Sequence, residues 1–187
     1  IIGWGMIILQ NRDNIGFNNW LVFWTTIKNL VVWLNCSIHL LNADCASVVN
    51  LHALNNTILL NNKPLSKLKS TNRMMFIDNT KTPHGITKEM MSIMPSTGYL
   101  ECGSLGLKSV LVADGTVDLF VKDVCVRDWD LAPVAVILNE VGGCLMQDSG
   151  EPYCFDGSFT KDSGFIIARD SALLDIAMEV YKKTKER

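Results

Sequence analysis

The stretch VRDWDLAPVAVILNEVGG, residues 126–143, decides the fold class. Asp130 stands just before an apolar run and reads as an N-cap, because its short carboxylate can accept from the free N–H groups of a first helical turn. Pro133 is expected inside that turn, where no intrahelical N–H is required, and Gly142-Gly143 supplies the stop. From Leu131 to Leu138 every face is apolar, so the helix is expected to lie buried against a sheet.

Segments on either side supply that sheet. Upstream, TVDLFVK (116–122) alternates Val117, Leu119 and Val121 with Asp118, Phe120 and Lys122, which is the pattern of a half-buried strand, and the polar loop Asp123 to Trp129 follows. Downstream, CLMQD (144–148) reads as a strand that turns at Asp148-Ser149-Gly150, and GFIIA (164–168) as another. A closing helix from about Ser171 puts Leu173, Leu174, Ala177, Val180 and Tyr181 on one face and ends in the basic run Lys182 to Arg187. Further upstream, SLGLKSVLVADG (104–115) is a helix with Ser104 as N-cap and Gly115 at its end, preceded by the short extended piece Gly98 to Cys102. MMFID (74–78) reads as a strand, Asn79 to Gly85 as a loop, and Thr87 to Met94 as a short helix with Met90, Met91 and Met94 on its buried face. Strand, helix, strand, helix in this order indicates a layered α/β fold.

Composition sets the outer limits. A chain of 187 residues with 48% hydrophobic content has the length of one ordinary domain and fills a core, which excludes disorder. The formal net charge of −2 argues against a nucleic-acid protein that neutralises many phosphates. Charge is uneven: residues 1–77 carry two acids against six bases, whereas residues 78–187 carry seventeen acids against eleven bases. Fourteen of the fifteen asparagines precede residue 80, so the first part of the chain is atypical in composition. Its apolar runs 20–24, 30–34 and 38–41 have strand lengths without clear alternation, and Asn61-Asn62-Lys63-Pro64 reads as a tight turn. Lys28 interrupts the best membrane candidate, residues 20–34, so buried strands or an interface are expected there rather than a span. The opening IIGWGMIIL lacks a basic n-region, and without an initiator Met it reads as a processed or incomplete start. The six cysteines include no CxxC pair and are expected to be reduced and mostly buried, and the three histidines lack ligand spacing and are expected to be structural or on the surface.

No GxxxxGK[ST], GxGxxG, GxSxG or HExxH pattern occurs. What remains is an acidic constellation, Asp123, Asp128 and Asp130, together with the Gly103-Ser104 turn at a helix start. Carboxylates at loop-to-helix junctions suit Mg²⁺, which takes oxygen ligands and shares them with phosphate. A helix N-terminus with a glycine before it suits an anion instead. The two together would form a phosphoryl site. The plainer alternative is that Asp130 and Ser104 only cap their helices.

The run Val126 to Pro133 followed by Gly142-Gly143 resembles the second signature of the inositol monophosphatase family, in which a WD-hydrophobic-A segment precedes a helix and a GG. Leu59 to Ser66 resembles that family's hairpin, Gly103-Ser104 with Ala113 to Asp118 resembles its GS segment, and Gly164 to Ala168 resembles its last strand. The resemblance covers residues 45–187, as the C-terminal α/β part, and leaves residues 1–44 as an atypical remnant of the metal-binding half. It implies an α/β layered sandwich of the sugar-phosphatase type and Mg²⁺ as cofactor. It also implies Asp130 as a metal ligand, and Gly103, Ser104 and Asp123 at the substrate. The family's DP-[IL]-D-G-[ST] signature, which supplies most metal ligands, has no match between Ile1 and Asp44.

The implied function is a Mg²⁺-dependent phosphomonoesterase acting on a small polyol phosphate such as inositol monophosphate. A 3′(2′),5′-bisphosphate nucleotidase and a histidinol-phosphate phosphatase are the alternatives within the family, and the Asp123 loop should decide among them. Outside it, the alternative is a non-catalytic binding or assembly module on the same scaffold. A small phosphorylated substrate, no nucleic acid, no membrane, a homodimer and a cytoplasmic location complete the expectation.

Overall fold

The computed structural model describes residues 3–9, 20–26, 36–39, 48–54, 57–60, 63–69, 71–124, 126–155 and 163–186, and the side chains among them from Lys63 onward, except Trp129 and Pro133. Two compact units follow one another, Ile1–Leu65 and Ser66–Arg187. The first is built of antiparallel strands. Strands β1 (Gly3–Leu9) and β2 (Trp20–Thr26) pair with each other, and β3 (Cys36–His39), β4 (Val48–Leu54), β5 (Thr57–Leu60) and β6 (Lys63–Pro64) form a second sheet in that order. Leu60 pairs with Lys63, as the turn read at Asn61-Asn62 requires. Of the three apolar runs read there, 20–24 lies in β2 and 38–39 in β3, while 30–34, Asp13 and Asp44 lie outside the described residues.

The second unit runs β7 (Met75–Asp78), α1 (Gly85–Ile93), β8 (Gly98–Glu101), α2 (Leu105–Ala113), β9 (Leu119–Lys122), α3 (Asp128–Val141), β10 (Cys144–Gln147), β11 (Phe165–Ala168) and α4 (Ser171–Lys185). Its sheet has the order β10-β11-β9-β7-β8. Strands β8 and β9 run parallel to β7, and β11 runs antiparallel to both β9 and β10. Helices α1 and α4 pack together on one face, where Phe76, Leu119, Val121, Ile166 and Ala168 meet Met90, Met94, Leu174 and Tyr181. Helices α2 and α3 pack together on the other face, against β9, β10 and β11. The layered α/β class expected from the element order is the class observed.

Covering both faces changes the reading of β9. Its alternation pointed to a strand with one wet face, yet Val117, Asp118, Leu119, Phe120 and Val121 are all buried. A central strand with helices on both sides has no solvent face, so the polar partner of each alternation must be satisfied internally. Helix α3 also starts earlier than expected. Arg127 is its N-cap and Asp130 is its third residue, which places Pro133 at the sixth helical position rather than in the first turn. Asp128 and Asp130 both lie in the first turn, where a carboxylate meets the positive end of the helix dipole. The stop came as read, with Gly142 left-handed at φ 84°. Among the described cysteines, Cys102 and Cys144 are half-buried and Cys154 is exposed, so the expectation of mostly buried thiols fails for them. Among the described residues no helix is long and apolar enough to cross a membrane.

Candidate active site

Strands β7, β8 and β9 run parallel, so their carboxyl ends lie at one end of the sheet and present Asp78, Glu101 and Lys122 there. In open α/β sheets this is the end where ligands bind. The N-terminus of α2 follows β8 directly. Ser104 caps it by accepting from the Leu107 N–H at 3.3 Å, and a Cβ on Gly103 would meet nothing within 4 Å. That turn is therefore open, with room for a group to approach the backbone.

A polar network lies at these strand ends. Asp78 is 2% exposed. Its Oδ1 accepts from Lys122 Nζ and from the Asn79 N–H at 2.7 Å, and its Oδ2 accepts from the Thr87 hydroxyl of α1 at 2.9 Å. Burial pushes the Asp78 carboxyl up, but the hydrogen bond and charge of Lys122, with Asn79 and Thr87, hold it below the usual range. Lys108 on α2, also 2% exposed, donates to Asn79 Oδ1 and sits 4.8 Å from the centre of the Phe120 ring. Burial and the charge of Lys122 depress its ammonium to about 8, with Asp78 acting the other way. Asp78 thus pairs directly with Lys122 and acts on Lys108 through its charge alone.

Asp123 follows Lys122 but faces a different partner. Its Oδ2 accepts from Lys185 Nζ of α4 at 2.9 Å. Nearby, the Tyr181 hydroxyl donates to Asp148 Oδ2 at 2.7 Å, and burial, then that bond and the charges of Asp148 and Asp123, push the phenol up. Gly164 makes this crowding feasible. A Cβ there would overlap the Lys122 carbonyl oxygen and lie 2.8 Å from Asp123 Cα and 2.9 Å from Asp148 Oδ2.

Asp130 is half-buried in the first turn of α3. Its N–H donates to the Arg127 carbonyl at 2.9 Å, and its Oδ2 accepts from the Arg127 N–H at 3.3 Å, so the side chain does close the helix start. Burial raises its carboxyl, and the Arg127 hydrogen bond and charge only partly offset this. Asp123, Asp128 and Asp130 are not brought together. Among the described residues no three His, Cys, Asp or Glu side chains gather to hold a metal ion. Mg²⁺ surrenders its waters only where several charged oxygens converge, so the described residues alone do not fit it.

Lys108 and Lys122 were not singled out from the sequence. The signal was a lysine four residues after the Ser104 cap in an otherwise apolar helix, and a lysine closing an apolar strand. Buried lysines are rare unless partnered, which makes such placements worth pursuing.

The fold and these strand ends define a layered α/β protein with a polar cluster of Asp78, Asn79, Lys108 and Lys122 at the carboxyl ends of its parallel strands. The chain belongs to the inositol monophosphatase family, whose model matches residues 29–185. A 3′(2′),5′-bisphosphate nucleotidase CysQ of Aggregatibacter actinomycetemcomitans is 40% identical over 55 residues, covering 29% of this chain and 20% of the relative. That of Haemophilus influenzae is 33% identical over 72 residues, covering 37% of this chain and 27% of the relative. Inositol monophosphatase-II of Staphylococcus aureus superposes with a TM-score of 0.64 at 22% identity, covering 89% of this chain and 60% of the other. An IMPase of Thermotoga maritima gives 0.64 at 20% identity, covering 90% and 63%. The chain thus spans about three fifths of these solved chains, and its matches reach only 20% and 27% of the two curated relatives. The likeness to the solved structures establishes the fold.

Proposed function

We propose that the chain serves a phosphomonoesterase whose substrate is a small phosphate ester carrying a second anionic group, as in a 3′(2′),5′-bisphosphate nucleotide. One observation carries this choice: Lys108 and Lys122 gather at the carboxyl ends of the parallel strands, Lys122 on the Asp78 carboxylate and Lys108 on the neutral Asn79 Oδ1. A neutral polyol hydroxyl would be better met by an acid, and the acid expected for it, Asp123, is paired with Lys185. Cationic side chains with an open helix N-terminus favour an anion instead. The partial likeness to bisphosphate nucleotidases supports the same substrate class. Gly103 and Ser104 are proposed to border the substrate, with inositol monophosphate the second substrate considered. Mg²⁺ belongs to the proposal through the family resemblance, with Asp130 as this chain's proposed ligand.

A non-catalytic binding or assembly module is the second reading. It is favoured by one observation, that Asp130 closes its helix while the described acids do not converge. A homodimer and a cytoplasmic setting are proposed on the resemblance alone.

Phosphate release from adenosine 3′,5′-bisphosphate and inositol 1-phosphate, measured with Mg²⁺ on the full chain, tests the first reading. Faster release from the bisphosphate is expected, with a calorimetric Mg²⁺ heat that Asp130→Asn removes. A preference for inositol 1-phosphate overturns the substrate choice. Release from neither, no Mg²⁺ heat and a stable dimer favour the module.

A further inference from the structure

At the strand ends the buried Lys108 and the half-buried Lys122 flank one buried carboxylate, Asp78, while Glu101 at the end of β8 is exposed. The distribution of partners is unequal. Asp78 meets Lys122, the Asn79 N–H and the Thr87 hydroxyl, whereas Lys108 finds the neutral Asn79 Oδ1 and the face of Phe120. An ammonium buried on neutral partners is held at a cost, and an added anion relieves it. The carboxylate already present competes for the same two cations. Its position is fixed from the opposite side by Thr87 near the start of α1, so it stays beside Lys122 rather than turning to solvent.

We propose that Asp78 is a built-in counter-ion for the Lys108 and Lys122 pair, competing with the anionic group of an incoming phosphate ester and so setting how strongly this end of the sheet favours a doubly anionic ligand over a singly anionic one. The inference rests on the reading that this cation pair meets the ligand. Asp78 then acts without touching the ester, by holding part of the positive charge back. Removing its charge while keeping its shape leaves both ammonium groups to the ligand. Removing only the Thr87 hydroxyl leaves the charge in place and frees Oδ2 to strengthen the pairing with lysine.

The test uses the full chain, with calorimetric titration of adenosine 3′,5′-bisphosphate and inositol 1-phosphate beside lysine ¹³Cε titration by NMR. Asp78→Asn is expected to tighten bisphosphate binding about tenfold, the scale of one charge-assisted contact, and to change inositol 1-phosphate binding by less than about threefold. The Lys108 ammonium should titrate at lower pH in that variant, because a charge that favours its protonated form is gone. Thr87→Val should act in the opposite direction and weaken bisphosphate binding by roughly threefold. It also serves if Asp78→Asn does not fold. Unchanged or weaker bisphosphate binding by a folded Asp78→Asn variant, an unmoved Lys108 titration, or Thr87→Val without effect overturns the proposal. Failure of both esters to bind the parent and both variants overturns the substrate reading instead, and the Lys108 titration then decides the counter-ion role alone.

Discussion

Asp118 Oδ1 accepts from Arg169 Nη1 at 2.5 Å, and this buried pair holds the end of the sheet opposite the polar cluster. The same carboxylate takes Arg73 Nε at 3.1 Å and the Met75 N–H at 2.8 Å, while Arg169 also reaches the Thr71 hydroxyl at 2.8 Å. One acid thus fastens the amino ends of β7 and β9, the carboxyl end of β11 and the 71–73 segment.

Asp118→Asn should therefore lower the free energy of unfolding by about 2–3 kcal/mol, because it takes from the buried Arg169 guanidinium one of its two counter-charges and leaves it with Asp170 Oδ2 at 3.1 Å. Arg73 is more exposed, so Arg73→Met should cost less, about 1 kcal/mol. Urea denaturation of the three proteins measures this. Equal losses from the two variants would mean that burial does not rank the pairs.

Lys108 yields a prediction in pH. Its ammonium is depressed from the ordinary 10.5 to about 8 by burial and the charge of Lys122, so between those values the unfolded chain binds more protons than the folded one. Stability then rises with pH through that window. Cys144 is pushed above its ordinary 9.0 by burial, then by Asp170 and Asp175, and Tyr99 above its ordinary 10.0 by burial, so both oppose the rise once those values are passed. The clean interval runs from about pH 8 to 9. Denaturant midpoints should increase across it in the parent and stay level in Lys108→Met.

The two ion sites also show where sequence reading reached and where it stopped. Caps and glycine stops act locally, which is why Ser104, Gly142 and the buried face of α4, with Leu173, Leu174, Ala177, Val180 and Tyr181, came as read. Asp118 did not, because alternation records which side chains differ and not whether a second layer covers the polar face. Its partner Arg169 lies 51 residues away, and only the antiparallel register of β9 with β11 brings the two together. The candidate site divides the same way. The turn at Gly103-Ser104 and Asp123 were legible as loop residues at strand ends, while the pairing of Lys122 with Asp78, 44 residues apart, depends on β7 and β9 being parallel neighbours.

Asp130 separates a capping role from a ligand role. Burial raises its carboxyl above the ordinary 3.8, so its ionised form costs stability at neutral pH, and stability is recovered as pH falls through the raised value. Asp130→Asn removes that cost while its amide oxygen can still accept from the Arg127 N–H, as Oδ2 does at 3.3 Å. What is lost is the carboxylate's attraction to the helix dipole and to Arg127, so the net change at pH 7 should stay within about 1 kcal/mol. Thermal unfolding at pH 7 and at pH 4, just above the ordinary value, checks this, with the variant expected to gain less than the parent on acidification. A loss of several kcal/mol at pH 7 would show that the first turn of α3 depends on the carboxylate.

Gly164 is the position where one methyl group should do the most harm. A Cβ there would overlap the Lys122 carbonyl oxygen and crowd Asp123 Cα and Asp148 Oδ2, and two of those three atoms are backbone that cannot swing aside. Relief requires the start of β11 to part from the end of β9, at the register pair Phe165 with Lys122. Forced overpacking of this kind costs about 1–3 kcal/mol, so Gly164→Ala should unfold at lower denaturant. The displaced segment carries Lys122, so the variant should also bind adenosine 3′,5′-bisphosphate more weakly, even at temperatures where it is fully folded. Ala168, at the far end of the same strand pairing, offers the control. Ala168→Gly should lower stability while leaving the Lys122 end in place, and parallel losses of binding in both variants would mean that global stability, not the position of Lys122, governs the ligand.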